Sequence, residues 1–194
     1  MTPGGFKFAA MHAGVKKSGL KDIGLIVSDP PATVAAVFTN SGAKAAPVLL
    51  SRKNIDSKKH RAIICNSGCA NSATGKRGAR DALKTLKLLA ARLGCTTGEL
   101  LVASTGGIST FLPMEKIGAA IPKLASTLGR PPAGFVRAIM TTDAWPKQTA
   151  RSIVIGGKIL EITQIAGNFP IGFTNTLIGP DGGFDRRAQA HANG

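Results

Sequence analysis

Three short stretches hold residue types that do chemistry. Residues 103–109 read Ala-Ser-Thr-Gly-Gly-Ile-Ser and follow the apolar run Leu100-Leu101-Val102. A strand that breaks into Thr105-Gly106-Gly107 ahead of a helix sets adjacent backbone N–H groups beside a hydroxyl. Acyl transfer uses that donor set to stabilise an oxyanion. A tight turn in which glycine supplies unusual φ values uses the same residues, and spacing alone leaves both readings open. Thr141-Thr142-Asp143 places two hydroxyls and a carboxylate at the end of a predicted helix, where they grip a polar substrate or cap the next turn. Cys65, Cys69 and Cys95 are odd in number, and the Cys65-x₃-Cys69 pair has no nearby His, which makes a poor zinc site. Free thiols of a reducing compartment fit better. His12, His60 and His191 lie far apart in polar surroundings and receive no catalytic role. Paired carboxylates, a phosphate-loop glycine motif and a Ser/His/Asp grouping are all missing from the sequence.

The elements that must position these residues follow from the apolar pattern. Ile23–Ser28 is expected to be a strand ended by Asp29-Pro30-Pro31, with a hairpin partner over Ala32–Thr39. Pro47 opens a short helix to Lys53. Arg61–Cys65 reads as a buried strand feeding a loop of small and polar residues, Asn66–Gly75. Arg80–Leu93 is the best helix, with Leu83, Leu86, Leu89, Ala90 and Leu93 at helical spacing and Gly94 closing it. Leu100–Ser104 is strand-like. Met114–Leu128 is a second amphipathic helix with a kink expected at Pro122, and Phe135–Met140 a third. Arg151–Ile155 and Lys158–Thr163 flank Gly156-Gly157, a two-residue hairpin signal. Beyond Ala166 the periodicity fades, and 184–194 reads as a frayed tail. Strands and helices interleave, so the fold class is α/β, or α+β in layers.

The chain of 194 residues is 43% hydrophobic, enough for a real core. Its 25 Lys and Arg against 10 Asp and Glu give +15. The basic residues are dispersed, with no aromatic-basic platform and no nucleic-acid motif. A solvated positive face, attraction of small anionic substrates or an acidic partner chain explains the charge better than nucleic acid does. No apolar run approaches membrane-spanning length and the first ten residues do not read as a signal peptide, so a cytoplasmic protein is expected.

Four segments together resemble a known family: AAVFTNSGAKAAPVLLSR (35–52), NSGCANSATGKRGARDA (66–82), STGGISTFLPMEKI (104–117) and RAIMTTDAWPK (137–147). They look like the ornithine acetyltransferases, also called glutamate N-acetyltransferases, of arginine biosynthesis. The resemblance is collinear over about residues 6–166. It implies the α-chain half of that fold, made as part of a precursor that cuts itself in front of a threonine. That threonine, the new N-terminus of a β chain, takes acetyl from N-acetylornithine and passes it to glutamate, with its own amine as base. The resemblance implies no metal or other cofactor, with acetyl-CoA an alternative donor in some members. It puts the oxyanion pair on Thr105 and Gly106 and the α-chain threonine that contacts substrate on Thr141.

Departures from the pattern shape the expectation for this chain. Cys69 stands where the family has Asn, Gly107 where Val is usual, and Ser109 where Gly is usual. The substrate-binding lysine position falls on Gly167, and the Ala-Thr cleavage pair is missing. Thr176, in Asn175-Thr176-Leu177, is the nearest stand-in for the nucleophile, at a two-residue gap. Residues 1–166 are therefore expected to form the α-chain-like domain and 167–194 a divergent tail, disordered or foreign to the family. Three readings compete: a half-enzyme whose partner is a β chain in an α/β hetero-oligomer; a non-catalytic basic binding protein derived from the family; and a self-sufficient Thr176 enzyme. A half without its partner is expected to expose apolar surface.

Overall fold

The computed structural model describes residues 3–129 and 131–166, together with the backbone of the strand Thr174–Ile178. Four strands form the central sheet in the order of the chain: β1 (Phe6–Met11), β2 (Ile23–Ala32), β3 (His60–Cys69) and β4 (Leu100–Gly107). The β1–β2 and β2–β3 pairs are antiparallel, and β3–β4 is parallel. Alternate side chains of each strand enter different cores. Ile23, Leu25, Val27, Ile64, Leu100 and Val102 face one side with α2 (Gly75–Leu93) and α3 (Met114–Ser126). Ile26, Ile63, Cys65, Leu101 and Ala103 face the other, with Phe135, Val136 and Ile139 of α4 (Ala133–Ile139). Burial on both faces explains why these strands read as unbroken apolar runs.

The helix α2 buries Ala82, Leu86, Leu89 and Ala90 and ends at Gly94 in the left-handed region (φ 65°), whose N–H bonds the Ala90 carbonyl. The shorter α1 (Ala46–Asn54) guards the open edge of β4. Its buried Ser51 hydroxyl donates to the Val102 carbonyl at 2.7 Å and accepts the Val102 N–H at 2.9 Å. Asn54 Nδ2 covers the Leu100 carbonyl at 2.8 Å. Those bonds replace the ladder that an edge strand otherwise offers to another chain. A second, three-stranded sheet holds β5 (Lys147–Ile155), β6 (Lys158–Ala166) and β7 (Thr174–Ile178), all antiparallel. Ile165 of β6 reaches the core beside Phe6 and Phe8.

The layered α/β class agrees with the sequence, as does the hairpin at Gly156-Gly157, where both glycines have positive φ. Several details differ. Ala32–Thr39 is not the partner of Ile23–Ser28: β2 itself runs to Ala32, its neighbours are β1 and β3, and 33–41 carry no regular element. Phe6–Met11 forms a strand that the sequence reading passed over. The segment 66–69, expected as loop, continues β3. Beyond Ala166, Thr174–Ile178 pairs with β6; the remainder of the expected tail, including 184–194, lies outside the described residues.

Candidate active site

Parallel pairing brings the ends of β3 and β4 together, with Ser67 opposite Thr105, Gly68 opposite Gly106 and Cys69 opposite Gly107. The expected strand-to-helix corner is therefore different in form: β4 continues through Gly107, and α3 begins only at Met114. The reason is the partner strand, which extends β4 past the glycines. Gly106 has φ +125°, and a Cβ there would lie 2.7 Å from the Cys69 nitrogen and from Gly68 Cα. Only glycine allows the two backbones to approach this closely. Thr105 is fully buried, Gly106 half-buried and Gly107 exposed, so the pair grades from the core to the surface.

Strand alternation puts Ser67 and Thr105 on the face covered by α4. The Ser67 hydroxyl donates to the carbonyl of Ala138, in the last turn of α4. That bond fixes where α4 ends, and Thr141 follows three residues later. The structure thus brings the Thr105-Gly106 pair and the turn carrying Thr141 to the same end of the sheet. Asp143 organises that turn: its carboxylate is 1% exposed, accepts the Thr141 N–H at 3.1 Å and pairs with Lys147 Nζ at 2.7 Å. Of the two roles open to Thr141-Thr142-Asp143, the carboxylate serves the turn. On the opposite face Ser104 donates to Asn66 Oδ1 at 2.6 Å, and Asn66 Nδ2 to the Cys69 carbonyl at 2.8 Å, which locks the two strand ends in register.

The wall facing Gly68 is a loop that the sequence reading did not single out. The fully buried Asp22 carboxylate accepts four backbone N–H groups, from Ala13 (2.6 Å), Gly14 (3.0 Å), Val15 (2.7 Å) and Lys16 (2.9 Å). His12 Nδ1 lies 3.3 Å from the same carboxylate. A Cβ at Gly68 (φ +103°) would sit 3.0 Å from Lys16 Cγ, so the Lys16 stem lies directly on the glycine paired with Gly106. Burial lowers the Lys16 pKa, against the opposing pull of Asp22 and Asp143. One signal was available: Asp22 is an acid at the mouth of an apolar strand, in a stretch that is otherwise basic.

Cys69 Sγ meets the Thr110 carbonyl at 3.3 Å, so the thiol that replaces Asn is engaged with the loop after β4. Cys65 is a core thiol whose pKa burial pushes up to about 12, and it is inert as a nucleophile. Thr176 lies in β7 with Gln164 as its strand partner. Among the described residues, no three His, Cys, Asp or Glu side chains gather as a metal site, and no helix is long and apolar enough to cross a membrane. The arrangement offers hydrogen-bond donors at paired strand ends with a cation alongside, which suits a developing negative charge.

The layered α/β fold of this chain is similar to that of two solved proteins. One is the arginine biosynthesis bifunctional protein ArgJ of Bacillus halodurans, at 35% identity and TM-score 0.79; the alignment covers 90% of this chain and 92% of that one. The other is the ornithine acetyltransferase of Mycobacterium tuberculosis, solved in complex with ornithine, at 29% identity and TM-score 0.75, covering 90% and 94%. The chain belongs to the ArgJ family, whose model matches residues 7–167. It is 48% identical over 163 residues to the bifunctional ArgJ of Geobacter sulfurreducens (84% of this chain, 42% of the relative) and 44% over 164 residues to that of Lactococcus lactis (84% and 41%). The chain therefore spans less than half the length of these relatives.

Proposed function

We propose that this chain is the oxyanion-stabilising half of an ornithine acetyltransferase that moves acetyl from N-acetylornithine to glutamate. The observation that carries the reading is the junction of Thr105 and Gly106 with the Thr141 turn through the Ser67–Ala138 hydrogen bond. The remainder of the site comes from a β chain. Two figures support that division: 42% of the Geobacter relative is matched, yet 92% of the crystallised Bacillus chain.

In this reading a threonine hydroxyl of the β chain attacks the acetyl carbonyl carbon, and the carbonyl electron pair moves onto oxygen. Thr105 and the Gly106 N–H receive that charge, while Thr141 holds the substrate. The hydroxyl proton passes by way of the β-chain amine to the ornithine nitrogen as the C–N bond breaks, which leaves acetyl on the threonine. The amine of glutamate then attacks the ester, and the threonine oxygen leaves with the proton that this amine gives up. Neither half-reaction needs a metal, and acetyl-CoA enters only as an alternative acetyl donor. Thr176 as an internal nucleophile predicts self-cleavage between Asn175 and Thr176, visible as a mass split.

Mixing the purified chain with a β chain from a family member and following transfer of labelled acetyl tests the proposal. Thr105→Ala should lower the rate about 10²–10³-fold, the usual effect of removing one oxyanion donor. Absence of transfer, or transfer indifferent to Thr105→Ala, would overturn it. A second reading, a basic binding protein, is favoured by the outer side of α2, where Lys76, Arg80, Lys84 and Lys87 are all exposed at helical spacing. It predicts binding to polyanions that weakens steeply with salt.

A further inference from the structure

We infer that Lys16 is a substrate-binding residue that takes the α-carboxylate of the amino-acid substrate beside the oxyanion corner. The inference deepens the acetyltransferase reading and rests on it. Substrates of that reading are amino acids, so each brings an α-carboxylate that needs a cation close to the reacting acetyl group. The position of Lys16 is unusually well fixed for a surface lysine. Its backbone N–H is one of the four held by the buried Asp22 carboxylate, at 2.9 Å. Its stem lies against Gly68, where a Cβ would come within 3.0 Å of Lys16 Cγ and 3.1 Å of Lys16 N. Gly68 is in turn the register partner of Gly106.

Two contacts therefore hold the stem of Lys16 against Gly68 at the end of the β3–β4 pair. The ammonium donates to the Lys21 carbonyl at 3.1 Å, a neutral acceptor that orients it and leaves its charge in place. The carboxylates that act on it are Asp22 and Asp143. Both are already engaged, Asp22 with the loop N–H groups and Asp143 with Lys147 and the Thr141 N–H. Lys147 is tied to the Asp143 carboxylate at 2.7 Å whereas Lys16 Nζ rests on a neutral carbonyl, so Lys16 is better placed than Lys147 to serve an incoming anion. Partial burial adds to this, because a cation drawn partly out of water attracts a carboxylate more strongly than a fully solvated one.

The test is titration of the chain assembled with a family β chain, using N-acetylornithine and its α-carboxamide, followed by NMR or calorimetry. The wild type should prefer the acid about tenfold or more, as expected for a charge-assisted contact. Lys16→Met keeps an apolar stem on Gly68 and should reduce that preference to less than about twofold, while Lys16→Arg restores part of it. A lysine that only braces the loop would lower the melting temperature without touching the acid-to-amide ratio. If the wild type discriminates and Lys16→Met discriminates equally, the Lys16 assignment is overturned and the acetyltransferase reading stands. If the wild type binds neither compound, the substrate reading itself fails and the inference goes with it.

Discussion

The two glycines that follow Thr105 make opposite demands, and replacing each by alanine separates close backbone packing from mere flexibility. At Gly106 a Cβ would meet the Cys69 nitrogen and Gly68 Cα at 2.7 Å, and φ is +125°. The obstacle is backbone of the paired strand, so no side-chain rotation relieves it. A non-glycine residue in this region of φ costs about 1–3 kcal/mol, and forcing a methyl into filled space adds about 1–3 kcal/mol. Gly106→Ala should therefore lose roughly 4 kcal/mol, a large part of the ~5–15 kcal/mol that holds a domain folded. The melting temperature should fall by about 10 °C. At Gly107 a Cβ would find Thr110 Oγ1 at 3.7 Å and the Gly68 carbonyl at 3.8 Å, both ordinary contacts. Gly107→Ala should be neutral or stabilising by up to about 1 kcal/mol, because it restricts the unfolded chain. Urea unfolding at unchanged m value measures both. Equal midpoints for Gly106→Ala and wild type, or equal losses for the two variants, would refute the close approach of β3 and β4.

Ser51→Ala should destabilise by about 2 kcal/mol or more, since it strands the N–H and carbonyl of Val102 together; an unchanged urea midpoint would show that another group covers the β4 edge. Asp22→Asn should cost about 3 kcal/mol, because an amide cannot accept all four loop N–H groups, and a loss below about 1 kcal/mol would contradict that account. His60 gives a pH signature. Its Nε2 lies 3.1 Å from the Asn54 carbonyl, which assigns the proton there, while buried Nδ1 meets no partner among the described residues. Burial lowers its pKa, so below the ordinary value of about 6.5 the unfolded chain binds the extra proton first. Stability should be complete above that pH, fall as pH drops through it, and level off below the folded pKa; His60→Gln should flatten the slope in urea midpoints between pH 7.5 and 5. Asp29, held low by its Arg61 hydrogen bond, and Glu99, held low by the Thr96 N–H, lose their contribution only below about pH 4, in a separate window.

The sheet was legible where burial on both faces left unbroken apolar runs, as at Ile23–Val27, Arg61–Cys65 and Leu100–Ser104. The helices α2 and α3 were legible from their leucine and isoleucine spacing. What escaped had physical reasons. Phe6–Met11 mixes Lys7 with alanines, so its strand identity comes from pairing with β2 and not from its own pattern. Residues 33–39 have strong strand propensity yet no strand partner among the described residues, and propensity without a partner does not make a strand. Asn66–Cys69 reads as loop because Asn, Ser and Gly are poor strand formers; Ser67 and Asn66 are satisfied there by Ala138 and Cys69 carbonyls. In the candidate site, residue types and spacing singled out Thr105, Gly106 and Thr141, the resemblance chose among their roles, and their approach depends on Ser67, whose bond spans 71 positions of sequence. Lys16 and Asp22 carry no motif at all, because a carboxylate gathering four backbone N–H groups is a property of the folded loop.

The second sheet bears on how much of an enzyme this chain can be. Where β6 meets the main body it is ordinary core: Thr163 and Ile165 are buried, and Glu161 accepts the Gly4 N–H at 3.3 Å. At the other end every residue from Arg151 to Ile159 is exposed. Successive residues of a strand point to opposite faces, so Val154, paired with Ile159, and Ile153, paired with Leu160, leave both faces uncovered. Val154 and Ile159 are each 70% exposed, and Ile155 63%. An apolar hairpin open on two sides is the kind of surface that further chain or a partner covers. The same division explains the candidate site. The Thr105-Gly106 strand end, the Thr141 turn and the loop that carries Lys16 all belong to the first sheet and the segments flanking it. The chain spans 42% of its Geobacter relative. Under the proposed acetyl transfer, a strand end that offers donors beside a cation calls for an attacking hydroxyl and amine from the other half.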